Sequence, residues 1–287
     1  MNTFADLQQA IRKIDALPSM PVIAQKLLTL ELNTDEGDAM LLRLIELDPL
    51  ITAKIIGLAN SSLFGSSGQV DSIRDAALRL GLKRVKSVAI GIATMSALTK
   101  HPEGLIKAND LWLHSIGFAF SLGAMAKVMP ERLRPSEDQM FLAGLLHDIG
   151  FMVLAHLDTQ ASNALYSAFK AQPDRPLIDI EQELLGMTHC EIGAQLGLHW
   201  GLPQEIIATI RYHHTPDAAG SSEGQPLVNM VNIAERIHPE FYGAGHSGTE
   251  VSEQEWLKLG IDPGKIDEIR YFIADVATQA NEFASAL

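Results

Sequence analysis

Cysteine, tyrosine and basic side chains are all scarce in this sequence, and each shortage closes off a class of function. A single cysteine, Cys190, leaves no disulfide framework within the chain and points to a reducing compartment, so a cytoplasmic protein is expected. Lys and Arg number 22 against 35 Asp and Glu, a formal charge of -13, whereas a phosphate backbone must be met by clustered cations. No nucleic-acid partner is therefore expected. The one local basic run, Arg79, Lys83, Arg84 and Lys86, reads as the solvated face of a helix. With only 4 tyrosines, and with leucine, alanine and isoleucine dominant, the composition favours helices over sheets.

Long uninterrupted apolar runs are missing too. Residues 88–98 are too few to cross a bilayer. Residues 141–157 are numerous enough but carry His147, Asp148 and His156, which reads as a buried core helix with functional residues, so no membrane span is expected. The opening stretch MNTFADLQQAIRKID has early acids and no apolar centre, unlike a signal peptide. Neither a dinucleotide fingerprint nor a Walker loop occurs. Ser61, Ser62, Ser66 and Ser67 flank Phe64-Gly65, but nothing pairs them with a particular base. No receiver or output domain is recognisable, so input and output are expected to come from other chains or from binding.

What is present is helix punctuation. Pro18 and Pro21 open IAQKLLTLEL, which closes near Asn33 and Gly37. Asp48-Pro49 has the form of an N-cap followed by proline in the first turn, and Ser72 and Gly81 bracket IRDAALRL. The stretch from Leu82 to Thr99 is apolar on nearly every side, the mark of a central helix. Further helices are expected near 108–128, 136–156, 158–171, 177–185, 188–198, 203–213, 225–237, 252–259 and 263–284. Residues 217–225 and 242–249 read as mobile loops. The expected fold is all-α: an N-terminal helical subdomain over 1–105 and a larger helical bundle over 106–287, divided at the Pro- and Gly-bearing segment HPEGLIKAND.

The chemistry concentrates in the second half. His147 and Asp148 are adjacent in FLAGLLHDIG, an apolar setting where an ionised carboxylate needs a neutralising partner. Imidazole beside carboxylate suits Fe, Mn, Ni or Zn. Asp110 and His114 are four apart on one helix face. His189, the pair His213-His214 and Glu235 also fall in or beside apolar helices, and side chains converging from facing helices are how bundles build metal sites. Cys190 reads as a small buried apolar residue. His156 reads as a polar-edge residue and His199 as part of a helix end, while His101, His238 and His246 fall in expected loops.

The order of these motifs resembles the HD-domain superfamily of metal-dependent phosphohydrolases, and most closely its HDOD branch. The N-terminal half carries that likeness in LPSMPVIAQKLLTL, LIELDPLITAKIIGLANSSLFG and SIRDAALRLGLKRVKSVAIG. It continues through LWLHSIGFAFSLGAMA, FLAGLLHDIGFMVLAH and ELLGMTHCEIGAQLGLHWGLP to IRYHH, covering residues 15–237. The resemblance implies an all-α fold and kinship with HD-GYP enzymes, which hydrolyse cyclic di-GMP. His114, His147, Asp148, His189, His213 and His214 match that relative's metal ligands. Asp110 stands where it has an acidic ligand, and Glu235 where the superfamily has its last Asp. One or two divalent ions are implied. Two departures bear on catalysis: Phe151 stands where HD-GYP enzymes place a lysine, and the residues after His213-His214 contain no Gly-Tyr-Pro. Arg211 is the remaining nearby cation for a phosphate contact. The expectation is a regulatory signalling module with a metal site and a protein partner. The alternative is a phosphohydrolase acting on a nucleotide or cyclic dinucleotide.

Overall fold

In the computed structural model the described residues are 17–61, 64, 68–99, 104–237 and 250–285, with side chains to 279. His101, His238, His246, Ser62, Ser66, Ser67 and the loop at 242–249 lie outside them. Among the described residues the secondary structure is entirely helical. The N-terminal half has α1 (Val22–Thr29), α2 (Asp35–Glu46), α3 (Pro49–Ala59), α4 (Ile73–Leu80) and α5 (Leu82–Leu98). The rest comprises α6 (Ala108–Val128), α7 (Glu137–Leu146), α8 (Ile149–Leu157), α9 (Thr159–Ala171), α10 (Leu177–Leu185), α11 (His189–His199), α12 (Gln204–Tyr212), α13 (Leu227–Ile237), α14 (Glu253–Lys258) and α15 (Ile266–Ser285).

The punctuation works as its chemistry requires. Asp48 accepts from the Leu50 and Ile51 amides at the start of α3, and Ser72 accepts from the Asp75 amide at the start of α4. Gly81 lies at φ 85°, a left-handed conformation that a side chain would strain. The apolar helix α5 is buried along most of its length. It packs against α1, α3 and α4 on one side and α7 and α8 on the other, and most of the buried apolar residues form one cluster from Leu17 to Ile273. A hydrogen bond from Trp200 Nε1 to the Pro18 carbonyl, 2.8 Å, ties the first residues of that cluster to the C-terminal half.

Three local readings change. The stretch expected as one helix from 136 to 156 is two, α7 and α8, broken at His147-Asp148. Residues 219–224 form a 3-10 turn rather than a loose loop, with Ser221 buried and its hydroxyl donating to the Pro216 carbonyl at 2.6 Å. Apart from Lys83, which is exposed, the basic run does not face solvent as a free patch. Arg79 donates to the carbonyls of Ala59 and Gly68, Lys86 donates to Leu30, and Arg84 pairs with Glu137 and lies over the rings of Phe64, Phe120 and Phe141. Those cations hold helices together. Two stretches, Ala108–Val128 and Glu137–Leu157, are long and apolar enough to cross a membrane by length and composition, but both are mostly buried within the fold.

Candidate metal centre

The break between α7 and α8 is what creates the site. His147 ends α7, and its Nδ1 donates to the Gly144 carbonyl three residues back at 2.9 Å. His213 ends α12 in the same way, with Nδ1 donating to the Ile210 carbonyl at 2.9 Å. Helix C-termini leave carbonyls without intrahelical partners, and a histidine there satisfies one of them. In both rings that bond puts the hydrogen on Nδ1 and leaves Nε2 as the inward lone pair.

Asp148 occupies the N-cap of α8 but makes no capping hydrogen bond, although Asp48 and Asp158 cap their helices in the usual manner. Its carboxylate turns to the histidines instead. Oδ2 lies 3.4 Å from His147 Nε2 and 3.7 Å from His114 Nε2; Oδ1 lies 3.3 Å from His189 Nε2 and 3.7 Å from His213 Nε2. Gly150 makes this approach possible, because α11 lies against α8 where a β-carbon would collide with the His189 carbonyl. His189 starts α11 behind a Thr188–Glu191 capping box. His147 is backed by Phe118, ring centroids 4.2 Å apart, and His189 by Phe151 at 4.3 Å.

Glu181 is the site residue that sequence reasoning missed. This carboxylate on α10 is fully buried and accepts from His189 Nδ1 at 2.8 Å and from the His189 amide at 3.1 Å. It fixes the ring so that His189 Nε2 points inward, the usual role of a carboxylate behind a metal-bound histidine. A signal was available. In LIDIEQELL, Glu181 stands four residues from both Leu177 and Leu185, an acid on the apolar stripe of its helix. Replacing Glu181 with Gln should weaken metal affinity by about tenfold while leaving the fold intact, measured by competition with a chromogenic chelator.

Of the predicted residues, His114, His147, Asp148, His189 and His213 converge in the interior, each under 9% exposed. His214 and Glu235 join at a more open edge, 3.2 Å apart. The one-methylene-longer Glu235 does reach the cluster: it groups with Asp148 and His213 within 4.8 Å. Asp110 does not. It lies exposed in the first turn of α6, where a carboxylate interacts favourably with the helix dipole, one turn before buried His114. Arg211 is half-buried and lines a pocket of about 330 Å³ with Thr188, Glu191 and Tyr212, which reaches His214 and Cys190.

Charge in the cluster is uneven. Burial alone would raise the Asp148 carboxyl, but His147, His189 and His114 outweigh it and hold it well below the usual carboxylate range. Burial, reinforced by the Asp148 carboxylate, pushes Glu235 well above that range. Burial lowers His147. Burial and then the neighbouring imidazoles take His213 down to about 3 and His214 well below its ordinary value. Burial would lower His189 as well, but Cys190, Glu181 and Asp148 together raise it well above.

The result is a buried carboxylate ringed by imidazoles that are mostly neutral. His147 Nε2, Asp148 Oδ1 and His214 Nε2 are buried without a hydrogen-bond partner, although buried polar groups are normally paired. These donors fit a divalent transition metal: neutral nitrogens, an anionic oxygen, and orphaned lone pairs aimed at one another. His114, His147 and Asp148 form one group of donors, and His189, Cys190, His213 and His214 another.

Broken helices, an interior of converging imidazoles and a shared aspartate define an all-α HD-type bundle. The chain matches the HDOD domain family over residues 17–216 and belongs to that family. A Marinobacter aquaeolei VT8 protein, a proposed signal transduction protein, is 29% identical with a TM-score of 0.81, over 97% of this chain and 64% of that one. A Shewanella amazonensis SB2B protein, a proposed phosphohydrolase, is 24% identical with a TM-score of 0.72, over 96% and 97% of the two chains. At that identity the likeness bears on the fold alone. An uncharacterised Treponema pallidum (strain Nichols) protein is 25% identical over 225 residues, 77% of this chain and 42% of that protein. The chain thus spans less than half the length of that curated relative.

Proposed function

We propose that this chain is a regulatory HDOD module that conveys a signal to a protein partner, performs no turnover of its own, and keeps a divalent transition metal in its His–Asp centre. The metal is Fe, Mn, Ni or Zn, as one ion or two. His114, His147 and Asp148 would hold one position; His189, His213 and His214 would hold the other, with Asp148 between them and Glu235 beside His214. A divalent ion there would neutralise the buried carboxylate and could act as a Lewis acid toward a phosphate oxygen.

The observation that carries the regulatory reading is Phe151. It is 3% exposed and lies flat on His189, its ring plane tilted by only 15°. Where the catalytic kin place a cation able to meet a phosphate, this chain places a wall of the metal pocket. Transition-state charge on a phosphoryl group must be met by cations, and one is lost here. A phosphohydrolase is the second reading, favoured by Arg211 in the pocket that reaches His214. Protein loaded in turn with Mn, Fe and Zn is expected to leave nucleotides, cyclic dinucleotides and simple phosphoesters unhydrolysed. Metal-dependent hydrolysis that disappears in Asp148→Asn would overturn the regulatory reading.

A further inference from the structure

Cys190 is 4% exposed, yet its surroundings are not those of a thiol that merely fills space. Sγ lies 3.5 Å from His189 Nε2 and 3.8 Å from His213 Nε2, and those two nitrogens are 3.3 Å apart. One donor atom from each of His189, Cys190, His213 and His214 lies within 4.8 Å of the others. A tetrahedral ion with metal–nitrogen bonds of about 2.05 Å and a metal–sulfur bond of about 2.3 Å spaces its ligands by roughly 3.3 Å for two nitrogens and roughly 3.5 Å for nitrogen and sulfur. Two of the three separations match those values, and the third exceeds its value by a few tenths of an ångström.

The hydrogen-bond pattern points the same way. His189 Nδ1 is taken by Glu181 and His213 Nδ1 by the Ile210 carbonyl, so both Nε2 atoms turn to the shared centre. A single S–H···N bond from Cys190 to His189 would satisfy the thiol but leaves His213 Nε2 only the His189 ring nitrogen 3.3 Å away, and His214 Nε2, although 3.2 Å from Glu235 Oε1, makes no well-directed hydrogen bond. A cation satisfies all of them together.

We infer that Cys190 is a metal ligand. It makes the position at His189, Cys190, His213 and His214 a three-nitrogen, one-sulfur site, chemically unlike the nitrogen–oxygen position at His114, His147 and Asp148. On binding, the thiol and the His189 ring at Nε2 each give a proton to solvent, the thiolate and the freed nitrogen form bonds to the ion, and no electron is transferred. Thiolate ligation favours zinc at this position, while the nitrogen–oxygen position also suits iron or manganese, so the two positions select different ions. The inference rests on the proposal that the centre holds metal.

The test is cobalt(II) titration of the metal-stripped full chain, followed by absorption and by elemental analysis, for the wild type, Cys190→Ser and Cys190→Ala. The wild type should show an intense near-ultraviolet thiolate-to-cobalt band. Both variants should lack it while retaining roughly one equivalent at the nitrogen–oxygen position. Cobalt uptake by the wild type without that band would overturn Cys190 ligation and leave the metal centre standing. No cobalt uptake at all would overturn both. The wild-type spectrum decides the matter even if a variant folds poorly.

Discussion

Replacing Asp148 with alanine is expected to empty the nitrogen–oxygen position of metal and to lower the melting temperature of metal-loaded protein by about 10 °C. Asp148 is the shared carboxylate, within 3.7 Å of imidazoles from His114, His147, His189 and His213. Without it the nitrogen–oxygen position keeps only the His114 and His147 imidazoles, and a divalent ion there would sit in a low-dielectric interior with little to balance its charge. A metal present at a thousand times its dissociation constant stabilises the native state by about 4 kcal/mol. Each kcal/mol moves the midpoint of a chain this size by roughly 2–4 °C. Chelated protein should respond differently, because there Asp148 is a buried anion with no metal partner and its removal costs much less. Differential scanning calorimetry with and without chelator measures both. An Asp148→Ala variant with unchanged metal content and an unchanged midpoint would contradict the assignment.

Gly150→Ala should be among the most damaging glycine-to-alanine changes at the described residues. A β-carbon there would lie on the His189 carbonyl oxygen, 2.7 Å from the carbonyl carbon and 3.0 Å from the His189 Cα. All three are backbone atoms, so no side chain can swing aside, and α8 and α11 must part. We expect a loss of about 3 kcal/mol or more in denaturant unfolding, with reduced metal content, because the helices that separate carry Asp148 and His189. Gly123→Ala is the control. It lies in α6 with nothing within 4 Å of where the added methyl group would stand, and helix propensity alone should stabilise it by up to about 1 kcal/mol. Equal effects at the two positions would show that the close approach of α8 and α11 is not what Gly150 provides.

The helices were largely legible in the sequence because their ends are chemically marked. Asp48, Ser72 and Gly81 act where capping rules put them. Helix α2 went unread although Thr34 caps it, accepting from the Gly37 amide, and although Asp35, Glu36 and Asp38 fill its first turn. Its own glycine, Gly37, masked those signals by resembling a stop. The break at His147-Asp148 left no proline or glycine at the break itself; the pair departs from a helix because its side chains are turned to the cluster, a tertiary cause that periodicity does not register.

The site was legible as a set of residue types rather than as a set of contacts. Helical spacing put Asp110 on the face of His114, but one turn of α6 is enough to carry a residue from the core to solvent. Glu181 escaped because its partner lies eight residues on, across the turn between α10 and α11, beyond the reach of any helix-face rule. Cys190 looked like a small buried apolar residue by type, and only the imidazoles around it change that reading.

The most direct measurement is elemental analysis of the protein purified without chelator and without a nickel column. One to two equivalents of Fe, Mn, Ni or Zn are expected, with the equivalent at the nitrogen–oxygen position lost in Asp148→Ala. Wild-type protein that is free of metal and takes up none on titration would contradict the central claim that this His–Asp cluster is a metal centre.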